Sequence, residues 1–477
     1  MAQSNEIERE IKYTAEVGTI ISTNGETPFW LRANQYGIVP NQSPILTLRG
    51  SVSSDYKKAV TKEDQYRLSK FDWGYGLNMV GNVGKENQFL IPEAYVKAKY
   101  GAFEIYAGRR REIFGLVDST LSSGSYIWSG NALPMPKIQI STPNFVHLGF
   151  TKGFLSFKGN YAHGWFENSR TDVENFYLHQ KSLYFRLGKL DWKFHFYGGF
   201  NHQVQWGGEL LYPDPKNLYS RNGIVGSSFN DYTNVVFGRS LGVEGDTTKN
   251  GINDATNRSG NHLGTIDFGF EVNTSNFSVL LYRQSIFEDG SLAYLSNITD
   301  GLNGMSINVR KTSNAKIRLH KIVVEYLNTS SQGGIGTSDN TYSRLRGQDN
   351  YFNNSVYRNG WSYNQTSLGT AFINNVSNVF SSSSLFFNNT RVEAFYLGLA
   401  GLINENIKTE IILSNSKNWG IYNNSFDKPK EQFSGLLKMR KMLNRFENTT
   451  VFLNFAFDSG SLFNASFGCY LGIKKEW

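Results

Sequence analysis

The sequence predicts an all-β fold: a single transmembrane antiparallel β-barrel of about 18 strands, with long extracellular loops that fold over or into the lumen. Three observations predict this fold. Aromatic residues make up 15% of the 477 residues and charged residues only 18%, whereas about 25% of an ordinary soluble domain is charged. Several segments alternate apolar and polar residues with a period of two. The chain ends on an aromatic residue, Trp477.

Composition also excludes several classes of protein. No stretch of the sequence approaches the roughly 20 apolar residues that a transmembrane helix needs, and the mean hydropathy is −0.40. Cys469 is the single cysteine, so a disulfide framework and a cysteine-based zinc site are excluded. The formal net charge of +8 favours anionic polymers or lipid headgroups. Because the longest run of cationic residues is 109–111, nucleic acid is not an expected partner.

The N-terminal residues 1–16 are predicted to be a short periplasmic segment, with a helix as one option over residues 6–15, and residues 17–477 the barrel. The start of the sequence has neither the cationic n-region nor the apolar h-region of a signal peptide. Ala2 and Gln3 suit a cleavage junction behind an added Met1. We therefore expect a cell outer-membrane protein whose signal peptide has been removed, with outer-membrane lipid and the barrel-assembly machinery as partners.

Alternation with a period of two identifies individual strands, because a barrel strand shows one face to lipid and the other to the lumen. The clearest example covers residues 265–284, where Phe268 and Phe270 share one face, Asp267 lies on the other, and residues 273–276 form a turn. The same pattern runs through four further segments: residues 103–110, 155–161, 192–206 and 451–458.

Aromatic residues at strand ends distinguish a membrane barrel from a soluble β-sandwich, which would alternate as well. Trp192 and Trp206 bracket one predicted strand, where a membrane barrel carries its interface girdles. Counting back from Trp477 by twos gives a largely apolar face, which resembles the assembly signal of bacterial outer-membrane proteins. Cys469 lies on that face, so we expect it to contact lipid as a small hydrophobe.

Two long polar stretches, near residues 207–262 and 328–389, are predicted to be extracellular loops. The second is dense in Asn, Ser and Gly with interspersed aromatic residues. Interleaved aromatic residues indicate that these loops pack, and we expect them to lie over the barrel mouth.

The densest motif block covers residues 91–166. It contains YAGRRREIFG at 106–115, LSSGSYIWSGNALPMPKIQIS at 121–141 and FKGNYAHGWF at 157–166, while TPFWLRANQYGIVP occupies 27–40. These stretches resemble the Wzi family of outer-membrane capsule-assembly proteins, especially the versions found in Bacteroidota. The resemblance implies a barrel of eighteen strands whose loops occlude the pore. It also implies a lectin-like role in binding capsular polysaccharide and attaching or assembling the capsule. The best-known members begin with a periplasmic helical bundle, whereas in this sequence we expect at most a short helix over residues 6–15.

Recognition of a polysaccharide needs aromatic faces against sugar rings, with cations and amides around them for hydroxyls and uronate carboxylates. Ten residues supply these types: Arg109, Arg110, Arg111, Tyr126, Trp128, Asn131, Lys137, His163, Trp165 and Trp361. Other loop aromatics, such as Tyr212, are equally eligible. The alternative is structural, because Arg110 with Glu104 and Glu112 could stiffen the barrel wall. Trp128 and Trp165 could likewise be plug or girdle residues.

An enzyme, a channel and a scaffold are the alternatives to this lectin-like function. The sequence contains no HExxH, GxSxG or phosphate-loop motif, so no catalytic residue, cofactor or metal site is predicted. A porin or channel for small solutes would share the polar lumen and the Asn- and Ser-rich loops. A barrel subunit that scaffolds a larger surface complex is the remaining alternative.

Overall fold

The computed structural model describes residues 9–58, 69–239, 258–288, 295–310, 315–334, 347–376, 385–443 and 445–477. It is a closed antiparallel sheet of 18 long strands, in which each strand pairs with the next and the last pairs with the first. The prediction of a closed barrel of about 18 strands is confirmed. The strands are β1 (Ile11–Ser22), β2 (Ile45–Ser54), β3 (Phe71–Gly84), β4 (Gln88–Tyr100), β5 (Phe103–Arg109), β6 (Pro136–Ser141), β7 (Leu155–Trp165), β8 (Tyr177–Leu187), β9 (Phe194–Trp206), β10 (Asn261–Asn273), β11 (Phe277–Phe287), β12 (Gly301–Val309), β13 (Ile317–Asn328), β14 (Val392–Ile403), β15 (Ile407–Ile421), β16 (Asn424–Met442), β17 (Thr449–Gly460) and β18 (Ser466–Glu476).

The first strand corrects the predicted boundary at residue 16. β1 begins at Ile11 and pairs with both β2 and β18, so a helix over residues 6–15 is wrong from residue 11 onward. The physical reason is that closing the sheet removes both of its edges, and β1 is the strand that closes it. Its residues Ile11, Tyr13 and Val17 are exposed on the outer face. Residues 1–8 lie outside the described part of the chain.

The two faces of the wall follow the alternation that the sequence shows. On β9, Phe194 and Phe196 are 52% and 54% exposed on the outer face, whereas His195 between them is 4% exposed and points into the barrel. All five predicted alternating segments lie on barrel strands with their apolar residues outward. Cys469 also lies on the outer face, between the exposed Phe467 and Leu471.

The strand connections differ at the two ends of the barrel. One end, which we call the turn rim, carries short connections such as residues 101–102 and 274–276. The other end, which we call the loop rim, carries long connections at residues 110–135, 207–260 and 329–391. The two long polar stretches of the sequence therefore fall at the loop rim, together with a third connection inside the motif block.

Short helices and small strands complete the described fold. Helix α1 (Phe29–Arg32) is a single turn, and helix α2 (Phe229–Phe237) begins with a capping box formed by Ser228 and Asp231. Val235 of α2 packs on the outer wall at the loop rim. No helix among the described residues is long and apolar enough to cross a membrane. The small elements are a 3-10 turn (Gly149–Thr151), a two-residue strand (Val146–His147), a two-stranded sheet of Val173–Glu174 with Glu209–Leu210, and a hairpin of Ser362–Tyr363 with Thr366–Ser367.

Candidate functional site: the closed loop rim

Three segments meet inside the barrel at the loop rim. We call residues 27–39, 110–135 and 350–376 together the plug. Its segments are joined by backbone hydrogen bonds: Ser129 N to Leu368 O (2.9 Å), Thr370 N to Tyr126 O (2.9 Å) and Tyr36 N to Gly130 O (2.6 Å). Their buried side chains belong to one continuous hydrophobic cluster with the wall. The plug therefore fills the lumen at this rim, as the predicted fold class requires.

Buried carboxylates on the barrel wall hold residues 110–135 in place. Glu325 on β13 accepts hydrogen bonds from Ser123 N (2.6 Å) and Ser122 Oγ (2.7 Å). Asp267 on β10 accepts one from Leu116 N (2.8 Å). A buried charge is tolerated only when hydrogen bonds or opposite charges replace its water, and here the plug backbone provides those bonds. Wall and plug therefore depend on each other.

An ion pair fixes the same segment further along the wall. Asp118 in the plug lies 2.8 Å from Lys321 Nζ on β13 and accepts hydrogen bonds from Ser306 Oγ (2.7 Å) and Thr120 Oγ1 (2.7 Å). Burial alone would raise the pKa of Asp118, but the bonds from Lys321, Thr120 and Ser306 lower it to about 2. The carboxylate is therefore charged at every physiological pH, and the ion pair persists.

Lys137 on β6 is the most deeply buried cation of the motif block. Its side chain is 1% exposed and its Nζ lies 2.8 Å from Glu112 Oε2, with Gln180 Oε1 at 3.0 Å. The same Nζ lies 4.7 Å from the Phe114 ring and 4.6 Å from the Trp128 ring. Trp128 and Lys137, both predicted site residues, are therefore in contact, but inside the closed rim.

The three arginines of the motif block all have partners in the barrel. Arg109 ends β5, Arg110 and Arg111 begin the plug, and all three are half-buried. Arg109 donates to Tyr363 Oη (3.1 Å), Arg110 pairs with Glu104, and Arg111 lies over the Tyr36 ring at 5.1 Å. The predicted alternative of a stiffening ladder therefore describes Arg110 and Glu104 well.

The remaining plug candidates are packed into its core. Tyr126 and Trp361 are fully buried, and the Tyr126 ring lies 5.2 Å from that of Phe352. Asn131 is buried as well and donates to Ser367 O (3.1 Å). The structure thus brings eight of the ten predicted residues into or beside the plug, and five of them are buried there: Tyr126, Trp128, Asn131, Lys137 and Trp361.

His163 and Trp165 lie elsewhere, on the outer face of β7. Trp165 is 38% exposed, and the His163 ring lies 5.0 Å from it and 5.9 Å from the Trp206 ring. These rings form an aromatic belt at the loop-rim end of the wall, next to α2. The two residues are therefore separated from the other eight, and the girdle alternative fits Trp165.

Cation–aromatic pairs at the surface of the loop rim form a different arrangement. We call four of them the rim pairs: Arg391 over Tyr422 (4.0 Å), Lys417 over Trp419 (5.4 Å), Lys430 over Phe426 (5.3 Å) and Arg358 over Tyr212 (3.5 Å). Three of the pairs surround the hairpin of β15 and β16, whose strands have 15 and 19 residues. The residues of this hairpin were not among the binding residues predicted from the sequence. Its signal is the spacing of lysine and aromatic residues over 417–430.

No group of three or more His, Cys, Asp or Glu side chains in the described residues is placed to hold a metal ion.

A family model supplies the decisive comparison: the model for capsule assembly protein Wzi matches residues 12–402. The chain belongs to the Wzi family. The resemblance seen in the motif block is therefore confirmed, whereas the assignment to Bacteroidota stays a prediction. A search of curated proteins finds no match.

Solved structures agree with the Wzi fold. Wzi of Escherichia coli, described as an outer-membrane protein involved in group 1 capsule assembly and as a carbohydrate-binding β-barrel, is 13% identical. The match has a TM-score of 0.59 and covers 97% of this chain and 83% of that chain. At this identity the likeness shows the fold alone. Pseudomonas aeruginosa OccK10 (OpdN) is 7% identical with a TM-score of 0.45, covering 98% of this chain and 99% of that chain, too low to support an argument.

The motifs that resemble the Wzi family build the plug and its supports, not the rim pairs. Residues 27–40 and 106–141 supply two plug segments and their wall contacts. The family motifs therefore mark how the barrel is closed.

Proposed function

We propose that this chain is a non-enzymatic, lectin-like barrel of the cell outer membrane that holds acidic capsular polysaccharide on its rim pairs. The observation that supports this function best is the combination of a filled lumen with half-buried aromatic–cation pairs at the surface around it, of which Lys417 is exposed. Membership of the Wzi family and the likeness to a carbohydrate-binding barrel agree with this proposal.

The orientation in the membrane follows from the two rims. Outer-membrane barrels have short turns on the periplasmic side and long loops outside the cell. The turn rim is therefore periplasmic and the loop rim faces the cell exterior, where a capsule lies. An outer face carrying Phe194, Phe196, Phe268 and Leu471 suits contact with lipid.

The rim pairs offer both interactions that an acidic polysaccharide needs. A cation on one face of a ring leaves the other face for the apolar side of a sugar, and the cation itself can pair with a uronate carboxylate. Lys417, Lys428 and Lys430 lie along one projecting hairpin with Asp427 and Glu431 as counter-charges, a local excess of one positive charge. Arg391 at its base adds another.

Weak single contacts suffice because the ligand is a repeating polymer. Each site is expected to bind with a dissociation constant on the order of millimolar, about −4 kcal/mol. A long polymer that meets several pairs and many barrels gains avidity without new contacts. Because the rim pairs lie at the surface, half-buried except for the exposed Lys417, salt should screen their attraction to carboxylates.

In this proposal, the eight buried or half-buried candidate residues stabilise the structure of the loop rim. Their contacts close the barrel and position the rim, and the filled lumen favours a closed lectin over a porin. We propose in addition that the barrel-assembly machinery folds this chain. A scaffold in a larger surface complex remains the second candidate, favoured by the projecting hairpin.

The test is binding of the detergent-folded barrel to capsular polysaccharide purified from its own cells. We expect the double variant Arg391→Gln/Tyr422→Ala to bind about tenfold more weakly than the natural chain. Trp73→Ala is the matched control, because it removes an aromatic–cation contact with Arg9 (4.5 Å) at the opposite rim. Equal binding by the double variant and the control would remove the hairpin from the site.

A further inference from the structure

The outer wall between β8 and β14 contains an apolar furrow that runs along the barrel surface. Its walls are aromatic and aliphatic side chains that are 39–62% exposed and have no protein covering them in the described residues. Six of them define it: Phe185, Phe196, Phe268, Leu281, Val324 and Phe395. The furrow is therefore a concave apolar surface in the part of the wall that the membrane covers.

A glycine keeps the furrow open. Gly198 on β9 lies between Phe196 and Phe200 on the outward face, and a Cβ built there would meet only Phe268 Cδ1, at 3.9 Å. That distance is ordinary van der Waals contact, so a side chain would fit at this position. An acyl chain can occupy the same space, because it is about as wide as an aliphatic side chain.

One arginine stands at the loop-rim end of the furrow. Arg283 on β11 faces outward opposite Asn303, which lies two residues from the loop-rim end of β12. Its guanidinium donates to four acceptors: Asn303 Oδ1 (2.7 Å), Asp300 O (3.1 Å), Ser285 Oγ (3.1 Å) and Ile298 O (2.5 Å). All four acceptors are neutral atoms, and one N–H of Nη1 is left for a headgroup. These bonds fix the direction of the guanidinium without neutralising its charge.

The carboxylate of Asp300 interacts with Arg283 only at a distance, because its oxygens are engaged elsewhere. The Asp300 carboxylate accepts hydrogen bonds from Tyr351 Oη (2.8 Å) and Gln332 N (2.7 Å). Among the described residues, Arg283 has no carboxylate oxygen within the 4.0 Å of an ion pair. A charged side chain at the lipid face is costly unless it meets an opposite charge. The phosphate of a lipid headgroup is the anion that such a position offers.

We propose that this furrow binds a phosphorylated lipid of the outer leaflet, of the lipid A class, with acyl chains along the furrow and a phosphate on Arg283. The apolar walls alone would accept any lipid. The charge of Arg283 selects an anionic one, and its place near the loop rim selects the outer leaflet. The inference rests on the outer-membrane orientation proposed above, but not on the polysaccharide site.

The experiment is native mass spectrometry of the full chain, folded in detergent and titrated with lipid A or with the same lipid stripped of its phosphates. We expect lipid A to bind at least tenfold more tightly than the dephosphorylated form. Arg283→Gln should abolish this preference, and Gly198→Leu should reduce the binding of both lipids by filling the furrow. Arg310→Gln is the control, because Arg310 is an exposed arginine beyond the turn-rim end of β12, bonded to Thr274 O (2.8 Å).

Three results would overturn the proposal. The first is equal binding of the two lipids by the natural chain, and the second is lipid A binding by Arg283→Gln that equals that of Arg310→Gln. The third is a dimer that Gly198→Leu disrupts, which would make a second copy the occupant. Both furrow variants should bind polysaccharide as the natural chain does, so a failed lipid test leaves the proposed lectin function separately testable.

Discussion

The plug and the β15–β16 hairpin use the same contact, a cation beside an aromatic ring, in opposite environments. Lys137 lies against Trp128 inside the barrel and is neutralised by Glu112 at 2.8 Å. Lys417 lies over Trp419 on the hairpin and is exposed; it faces Glu393 and Glu431 across the neighbouring strands without a close ion pair among the described residues. Residue type therefore does not separate a structural contact from a binding contact, whereas burial of the cation does.

The two cations differ in the free energy that each would lose on leaving its present partner. A buried ammonium must keep its carboxylate, because breaking a buried pair costs about 3–5 kcal/mol. An exposed cation–ring contact contributes about 0.5–1 kcal/mol, so an exposed cation can turn to a sugar carboxylate at little cost. Lys417, the exposed cation of the rim pairs, is therefore free to exchange partners, and Lys137 is not.

The largest effect is expected from Lys137→Met, which leaves Glu112 charged and buried without its cation. We expect the free energy of unfolding in detergent to fall by about 3–5 kcal/mol, measured by urea titration. Lys417→Met, the matched change on the hairpin, should alter it by less than about 0.5 kcal/mol. Similar small losses for both variants would contradict the distinction between the two regions.

A second prediction concerns the attachment of plug to wall at Glu325. Glu325→Ala removes the acceptor of Ser122 Oγ and Ser123 N, which should weaken the plug by about 2–4 kcal/mol because buried donors lose their partners. We expect open-channel events in planar bilayers that the natural chain lacks. Glu405→Ala, an exposed glutamate 3.3 Å from Arg318 at the turn rim, is the control. A closed Glu325→Ala barrel would show that the plug does not depend on this carboxylate.

The third prediction uses the pH dependence of the Asp118–Lys321 pair. The pKa of Asp118 in the fold is about 2, below its ordinary value of 3.8. The stability from this shift is therefore fully present above pH 4 and is lost as the pH falls toward 2, by about 2 kcal/mol. Channel opening between pH 4 and 2 should be steeper in the natural chain than in Asp118→Asn. Identical profiles would assign the acid response to other groups.

Arg391→Gln is expected to have the smallest effect on the stability of the fold and a specific effect on polysaccharide binding. The variant should lower the unfolding free energy by about 1 kcal/mol at most, because Arg391 is half-buried and loses one hydrogen bond, from its Nε to Ser330 O (3.1 Å). Its affinity for acidic polysaccharide should fall about fivefold, most clearly at low salt. Affinity equal to that of the natural chain at low salt would argue against a role for this pair.

The sequence was a good guide to the wall and a poor guide to the site, for a physical reason. A period of two assigns each residue to lipid or lumen, so Phe268 and Asp267 could be placed on opposite faces from local pattern alone. The start of the first strand was not predicted from the sequence, because residues 11–16 belong to a strand that pairs with β18, at the other end of the chain. The pairing that closes the sheet joins residues far apart in the sequence, so a local pattern does not reveal it.

The plug could not be predicted because its contacts join distant residues. Asp118 meets Lys321 and Ser123 meets Glu325, each across about two hundred residues of sequence. Composition showed the right residue types in the motif block but not their burial. The spacing of lysine and aromatic residues over 417–430 could have indicated the hairpin, and the density of the family motifs elsewhere directed attention away from it.

The most direct test of the whole account is polysaccharide binding by three chains at two salt concentrations: the natural chain, Arg391→Gln/Tyr422→Ala, and Trp361→Leu. Trp361 is fully buried and its Nε1 has no hydrogen-bond partner in the described residues, so Leu removes the ring without leaving a polar group unpaired. Heat-modified gel mobility verifies that each barrel is folded. The account predicts salt-sensitive binding that the rim variant loses and Trp361→Leu keeps. Binding lost in Trp361→Leu but kept in the rim variant would contradict it.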